Sequence, residues 1–141
     1  MERATTEHGR QTLVWLVDDN SDLRENLTDI LVDEGYAVRA APGADAAARW
    51  LDSDDPPPDA VLLDLYMPGM TARYFASLMR AQPRRAASKI ILVTAAEVHD
   101  KPGEGPWDAV LLKPFRIEQM LRLLRSLNVN PRDRATACPT G

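Results

Sequence analysis

Four places along the chain bring together residue types that handle metal ions and phosphate: Asp18-Asp19, Asp64, Thr94 and Lys113. Each ends a short apolar run: TLVWLV before Asp18, AVLL before Asp64, KIILV before Thr94 and DAVLL before Lys113. A carboxylate at the end of a buried run is costly unless something pairs with it. Three carboxylates meeting at one edge also repel one another, by roughly 1 to 4 kcal/mol per pair at ~4 Å. A divalent hard cation removes that repulsion. Mg2+ takes oxygen ligands, keeps several waters and uses only one or two carboxylates, which leaves room for a phosphate. Lys113 adds a mobile cation and Thr94 a hydroxyl donor. That combination suits phosphoryl transfer, where catalysis is mostly positioning and neutralisation of charge on the equatorial oxygens. Asp64 is then the candidate nucleophile, accepting the phosphoryl group as an aspartyl phosphate.

The elements that must position these residues alternate. Residues 12–17 predict a buried strand. A helix follows, capped by Asn20 or Ser21, with Leu23, Leu27, Ile30 and Leu31 at helical spacing and Gly35 as terminator. Further strands are predicted at 36–40, 60–63, 89–93 and 108–112, and further helices at 44–51, 71–81 and 117–127. The stretch DSDDPPPD reads as a proline-rich loop. In the last helix Ile117, Met120, Leu121 and Leu124 share one face. Alternating strands and helices imply an α/β fold, a parallel sheet with helices on both faces. Continuous apolar strands fit such a sheet better than a one-sided one. Ligands of these folds bind beyond the carboxyl ends of the strands, which is where the polar residues stand. Singly, Asp64 reads as well as a helix cap, Thr94 as an N-cap and Lys113 as a surface lysine. Their coincidence at successive strand ends is what points to a site.

At 141 residues with 45% apolar and 27% charged, the chain fits one soluble globular domain. A net charge of -4 and a pI near 5.1 argue against a nucleic-acid surface. The lone cysteine, Cys138, forms no internal disulfide, so a reducing compartment fits. No apolar stretch reaches signal-peptide or membrane-span length, and a cytoplasmic location without membrane contact is expected. His8 and His99 have no metal-ligand companion. Arg84, Arg85, Arg122 and Arg125 read as solvated faces or partner contacts, and Trp15 as core. VLLDL also resembles the metal-binding strand of P-loop nucleotidases, but no G-x-x-x-x-G-K-[ST] occurs.

VDDN at 17–20, LLDLYMPGM at 62–70, LVTA at 92–95 and LKPF at 112–115 resemble the response-regulator receiver domain of two-component signalling. The likeness spans about residues 12–127, with 1–11 expected as a flexible N-terminus and 128–141 as a disordered tail. It implies a flavodoxin-like, doubly wound five-stranded sheet in the order 2-1-3-4-5. It further implies Asp64 as phosphoacceptor. Asp18, Asp19, Asp64 and the Tyr66 carbonyl would form a site for Mg2+ or Mn2+, with Asp18 acting largely through water. Thr94 and Lys113 would bind the phosphoryl oxygens, and Lys113-Pro114 would be a cis peptide. The implied partners are a histidine kinase or histidine phosphotransfer protein and an unknown downstream protein target. Kinase specificity would lie on the first helix and the loop after the fifth strand. A stand-alone receiver, monomeric or weakly dimeric, is expected to signal by docking or phosphorelay, catalysing only its own phosphotransfer and dephosphorylation.

The sequence departs from that family in three respects. Val110 occupies the switch position where many receivers carry an aromatic ring. Pro102, Gly103, Gly105 and Pro106 oppose a regular fourth helix, which is expected to be short or irregular. Trp107 in that stretch would anchor a partner or pack the loop down. Tyr66, two residues after Asp64, is expected to shield an acyl phosphate and slow its hydrolysis. These departures leave a second class of function open, a receiver-like docking module acting independently of phosphorylation.

Overall fold

The computed structural model describes residues 11–65, 69–95 and 105–131. Tyr66, His8, His99, Cys138 and the stretch assigned to the fourth helix at 96–104 lie outside them. Strands β1 (Leu13–Val17), β2 (Ala37–Ala41), β3 (Ala60–Asp64), β4 (Lys89–Ala95) and β5 (Ala109–Lys113) form one parallel sheet in the order β2-β1-β3-β4-β5. Helices α1 (Ser21–Asp33), α2 (Ala44–Ala48), α3 (Ala72–Ala81) and α4 (Ile117–Ser126), with one 3-10 turn at Arg49–Asp52, complete the described elements. This is the doubly wound order expected from the sequence.

Successive strand residues point to opposite faces, and both faces are covered. Trp15, Val17, Val61, Leu63, Ile90 and Leu92 pack against the side holding α2 and α3. Val14, Leu16, Leu62, Ile91 and Val93 pack against Leu27 and Leu31 of α1 and Met120, Leu121 and Leu124 of α4. The apolar runs are continuous because neither face meets water.

The helix ends have local causes. Asn20 caps α1, its side-chain oxygen accepting from the Leu23 amide at 3.1 Å, and Gly35 leaves the helix at φ +104. Thr71 caps α3 in the same way, accepting from the Tyr74 amide at 3.1 Å. The second helix does not run evenly to Leu51. It ends at Ala48 and tightens into a 3-10 turn, Arg49–Asp52.

Arg85 is bonded to that turn, which corrects the reading of it as a solvated arginine. It is 2% exposed. Its guanidinium donates to the carbonyls of Trp50 at 3.1 Å and Ser53 at 3.2 Å, and to the Gln82 side-chain oxygen. The carbonyls left free where a helix ends supply acceptors for the Nη donors, while Nε finds no partner among the described residues. Burial holds the guanidinium below its ordinary pKa. Arg84, by contrast, is exposed.

Trp107 is buried and packs into the core on the α3 side. A side chain at Gly105 would collide with its ring, and the Arg73 guanidinium lies 5.0 Å from the ring centroid. Of the two roles open to it, Trp107 therefore packs the connection down. Arg80 fastens the same connection to α3, donating to the Pro106 carbonyl at 3.2 Å and pairing with Asp108 at 2.6 Å.

Candidate functional site

The register of the sheet brings the polar residues to one edge. Val17 is paired with Leu63, so Asp18 lies next to Asp64 at the ends of adjacent strands. Asp64 is paired with Val93, which places Thr94 one residue beyond it, and Ala95 is paired with Lys113. Asp18, Asp19, Asp64, Thr94 and Lys113 thus gather at the carboxyl ends of β1, β3, β4 and β5. The fifth strand, β2, ends in Ala41, whose carbonyl accepts from the Asp18 amide at 3.1 Å.

Asp18 is 3% exposed and Asp64 6%, whereas Asp19 faces solvent. The three carboxylates each offer an oxygen within 4.8 Å of the others. Lys113 Nζ stands between the two buried acids, 3.3 Å from Asp18 Oδ2 and 3.7 Å from Asp64 Oδ1. The other Asp18 oxygen accepts from the Asn20 amide at 2.9 Å. The Lys113–Pro114 bond is cis. Thr94 is fully buried, and its hydroxyl finds no hydrogen-bond partner among the described residues.

This donor set fits a hard divalent cation. All three candidate ligands are carboxylate oxygens, converging within a span that a Mg2+ ion with some waters retained can bridge. The buried Thr94 hydroxyl, without a partner among the described residues, is a polar group whose hydrogen-bonding capacity is unmet. Lys113 supplies the mobile cation. Val110, at the switch position, is half-buried against the core on the α3 side and carries no ring.

Two contacts with Asp18 have no sequence signature. Arg24 Nη1 donates to its carbonyl at 2.7 Å, and the amide of Asn20, a residue the sequence marks as the α1 cap, donates to its side chain. The partner in each case is a backbone or short-range group, so no spacing of side chains announces it.

Comparison with known proteins gives a consistent picture. The chain is 31% identical to the DNA-binding transcriptional regulator NtrC of Proteus hauseri over 115 residues, 79% of this chain and 23% of that protein. It is 30% identical to the sensory transduction protein RegX3 of Mycobacterium tuberculosis over 119 residues, 82% of this chain and 50% of that protein. The chain thus spans half or less of these curated relatives. Among solved structures it is similar to the chemotaxis response regulator CheY4 of Vibrio cholerae, at 28% identity and TM-score 0.74, covering 82% of this chain and 98% of that one. It is similar as well to the response regulator TrrA of Thermotoga maritima, solved in complex with Mg2+-BeF, at 27% identity and TM-score 0.69, again covering 82% and 98%. TrrA has also been solved in complex with the histidine kinase ThkA. The family model of the response regulator receiver domain matches residues 14–125, and with it the chain belongs to the response regulator receiver domain family.

Proposed function

We propose that this receiver domain takes a phosphoryl group on Asp64 from a histidine kinase or histidine phosphotransfer protein and signals through the phosphorylated form. The observation that carries the reading is the meeting, at one sheet edge, of three carboxylates with Lys113 and a Thr94 hydroxyl that has no partner among the described residues. Asp18, Asp19 and Asp64, with the Tyr66 carbonyl, would hold Mg2+, Asp18 largely through water. The ion, when bound, neutralises charge on the incoming phosphoryl oxygens. An Asp64 carboxylate oxygen attacks phosphorus in line with the departing donor atom. The bond from phosphorus to the donor breaks as the bond to Asp64 forms. Lys113 follows the growing negative charge, and the Thr94 hydroxyl donates to a phosphoryl oxygen.

The kinase is proposed to dock in the groove of about 690 Å³ beside Lys113, between α1 and the start of α4. Its walls are apolar, with Leu23, Leu27 and Ile30 on one side and Pro114, Phe115 and Ile117 on the other. The complex of the similar TrrA with ThkA supports a kinase partner. The output we assign is a phosphorylation-dependent protein contact or onward phosphorelay.

The test is intact mass after incubation with a small acyl-phosphate donor and Mg2+. Wild type is expected to gain one phosphoryl group, with no gain in Asp64→Asn or without the metal. A folded wild-type protein that takes up no phosphate from any donor would instead establish a docking module that works without phosphorylation.

A further inference from the structure

Arg24 is the fourth residue of α1, within the first turn and a half of the helix. The helix dipole disfavours a cation there, so the helix itself gives no reason for it. Its side chain turns back out of the helix, and Nη1 donates to the Asp18 carbonyl at 2.7 Å in a half-buried setting. That is the short distance of a charge-assisted bond. Past Val17 the β1 ladder ends, so the turn carrying both acids depends on the contacts it makes itself. The Asp18 amide donates to the Ala41 carbonyl, the Asp18 side chain accepts from the Asn20 amide, and Asn20 caps α1. Arg24 ties the remaining free group of Asp18, its carbonyl, to the body of the helix. The helix in turn holds the arginine, since the Arg24 amide donates to the Asn20 carbonyl at 2.9 Å and the Thr28 hydroxyl donates to the Arg24 carbonyl at 2.7 Å.

We infer that Arg24 is a positioning residue for the acid-bearing turn: by anchoring the Asp18 carbonyl it presets Asp18 and Asp19 for a divalent cation. The inference rests on the reading of that edge as a Mg2+ site. It makes a signed claim. If Arg24 acted only through its charge, removing it would lessen repulsion and tighten cation binding. If it acts by positioning, removing it loosens the turn and weakens binding.

The experiment is calorimetric titration of the metal-free protein with Mg2+ alone, comparing wild type with Arg24→Met and Arg24→Lys. In parallel, exchange of the Asp18 and Asn20 amides, both hydrogen-bonded in this turn, is followed without metal. Positioning predicts Mg2+ binding about tenfold weaker in Arg24→Met, the loss expected from one charge-assisted bond partly transmitted to the ligands. Arg24→Lys, which keeps the charge but lacks the planar fork, is expected to fall a few-fold short of wild type. Both amides should exchange about tenfold faster in Arg24→Met without metal, reporting local opening rather than global unfolding. Unchanged or tighter Mg2+ binding, or unchanged amide exchange, in a folded Arg24→Met would overturn the inference and leave the phosphoacceptor reading standing. A wild-type protein that binds no Mg2+ would overturn both.

Discussion

Thr94 holds a fully buried hydroxyl with no hydrogen-bond partner among the described residues. Such a group carries an uncompensated desolvation cost of about 1 to 3 kcal/mol. A fold selected for stability alone would place valine there, which has nearly the same shape and no oxygen. The cost is understandable if the hydroxyl meets its acceptor only when Asp64 carries phosphate. Thr94→Val is therefore expected to leave the metal-free protein as stable as wild type or more stable, by up to about 1 kcal/mol in urea unfolding. The same substitution should slow phosphoryl uptake about tenfold or more, since a preset oxyanion donor is lost. A clear loss of stability in the variant would mean that the hydroxyl is already bonded in the resting protein. Lys113 is a different case. It is already paired, standing between Asp18 and Asp64, so under the proposed phosphorylation it would change partner rather than gain a first one.

At the scale of elements, a phenol ties the start of β2 to the segment beyond α4. Tyr36, just before β2, is buried, and its hydroxyl donates to the Val129 carbonyl beyond α4 at 2.8 Å. Burial pushes the Tyr36 pKa above its ordinary value; Arg125 pulls it down and Glu34 adds to the rise. An unfolded chain ionises its tyrosines near pH ~10. Below that pH both states are neutral at Tyr36 and the contribution is intact. As pH climbs past the unfolded value the unfolded state loses the proton first, and stability falls until the folded pKa is passed. Urea unfolding across pH ~9 to ~11 should therefore show a shallower decline in Tyr36→Phe than in wild type. At neutral pH the variant should lie about 1 kcal/mol lower, because the Val129 carbonyl loses its donor. Parallel curves would assign the alkaline loss to other groups. The elements differ in how far the sequence discloses them. The strands are legible because a sheet buried on both faces writes itself as unbroken apolar runs, and Asn20, Gly35 and Thr71 mark helix ends by their own chemistry. The 3-10 turn after α2 and the burial of Arg85 are not legible. An arginine in a polar loop looks solvated until the turn of residues 49–55 folds its carbonyls over it.

At the scale of the molecule, the sheet concentrates like charge at one edge, and the same geometry that makes this legible as a site makes it a liability. Asp18, Asp19, Asp64, Thr94 and Lys113 could be picked out because they interrupt apolar runs at matching strand ends. The anchoring of the Asp18 carbonyl by Arg24 could not, because a backbone acceptor leaves no trace in residue type. Lys113 offsets the two buried acids, but Asp19 adds a third carboxylate within 4.8 Å of both. At that distance and in contact with solvent, the repulsion amounts to about 1 kcal/mol. A bound divalent ion converts this repulsion into ligation and stabilises the folded state by mass action, about 2.7 kcal/mol at a hundredfold excess over Kd. Asp19→Asn keeps the shape and removes the charge. In metal-free solution it should melt higher than wild type, by about 4 °C. Added Mg2+ should raise the melting temperature of wild type well past its metal-free value and move the variant far less. The two curves should then cross as Mg2+ is increased, the variant more stable without metal and the wild type more stable with it. Curves that run in parallel would show that Asp19 is an ordinary surface acid, and that the ion, if it binds, is held by other groups.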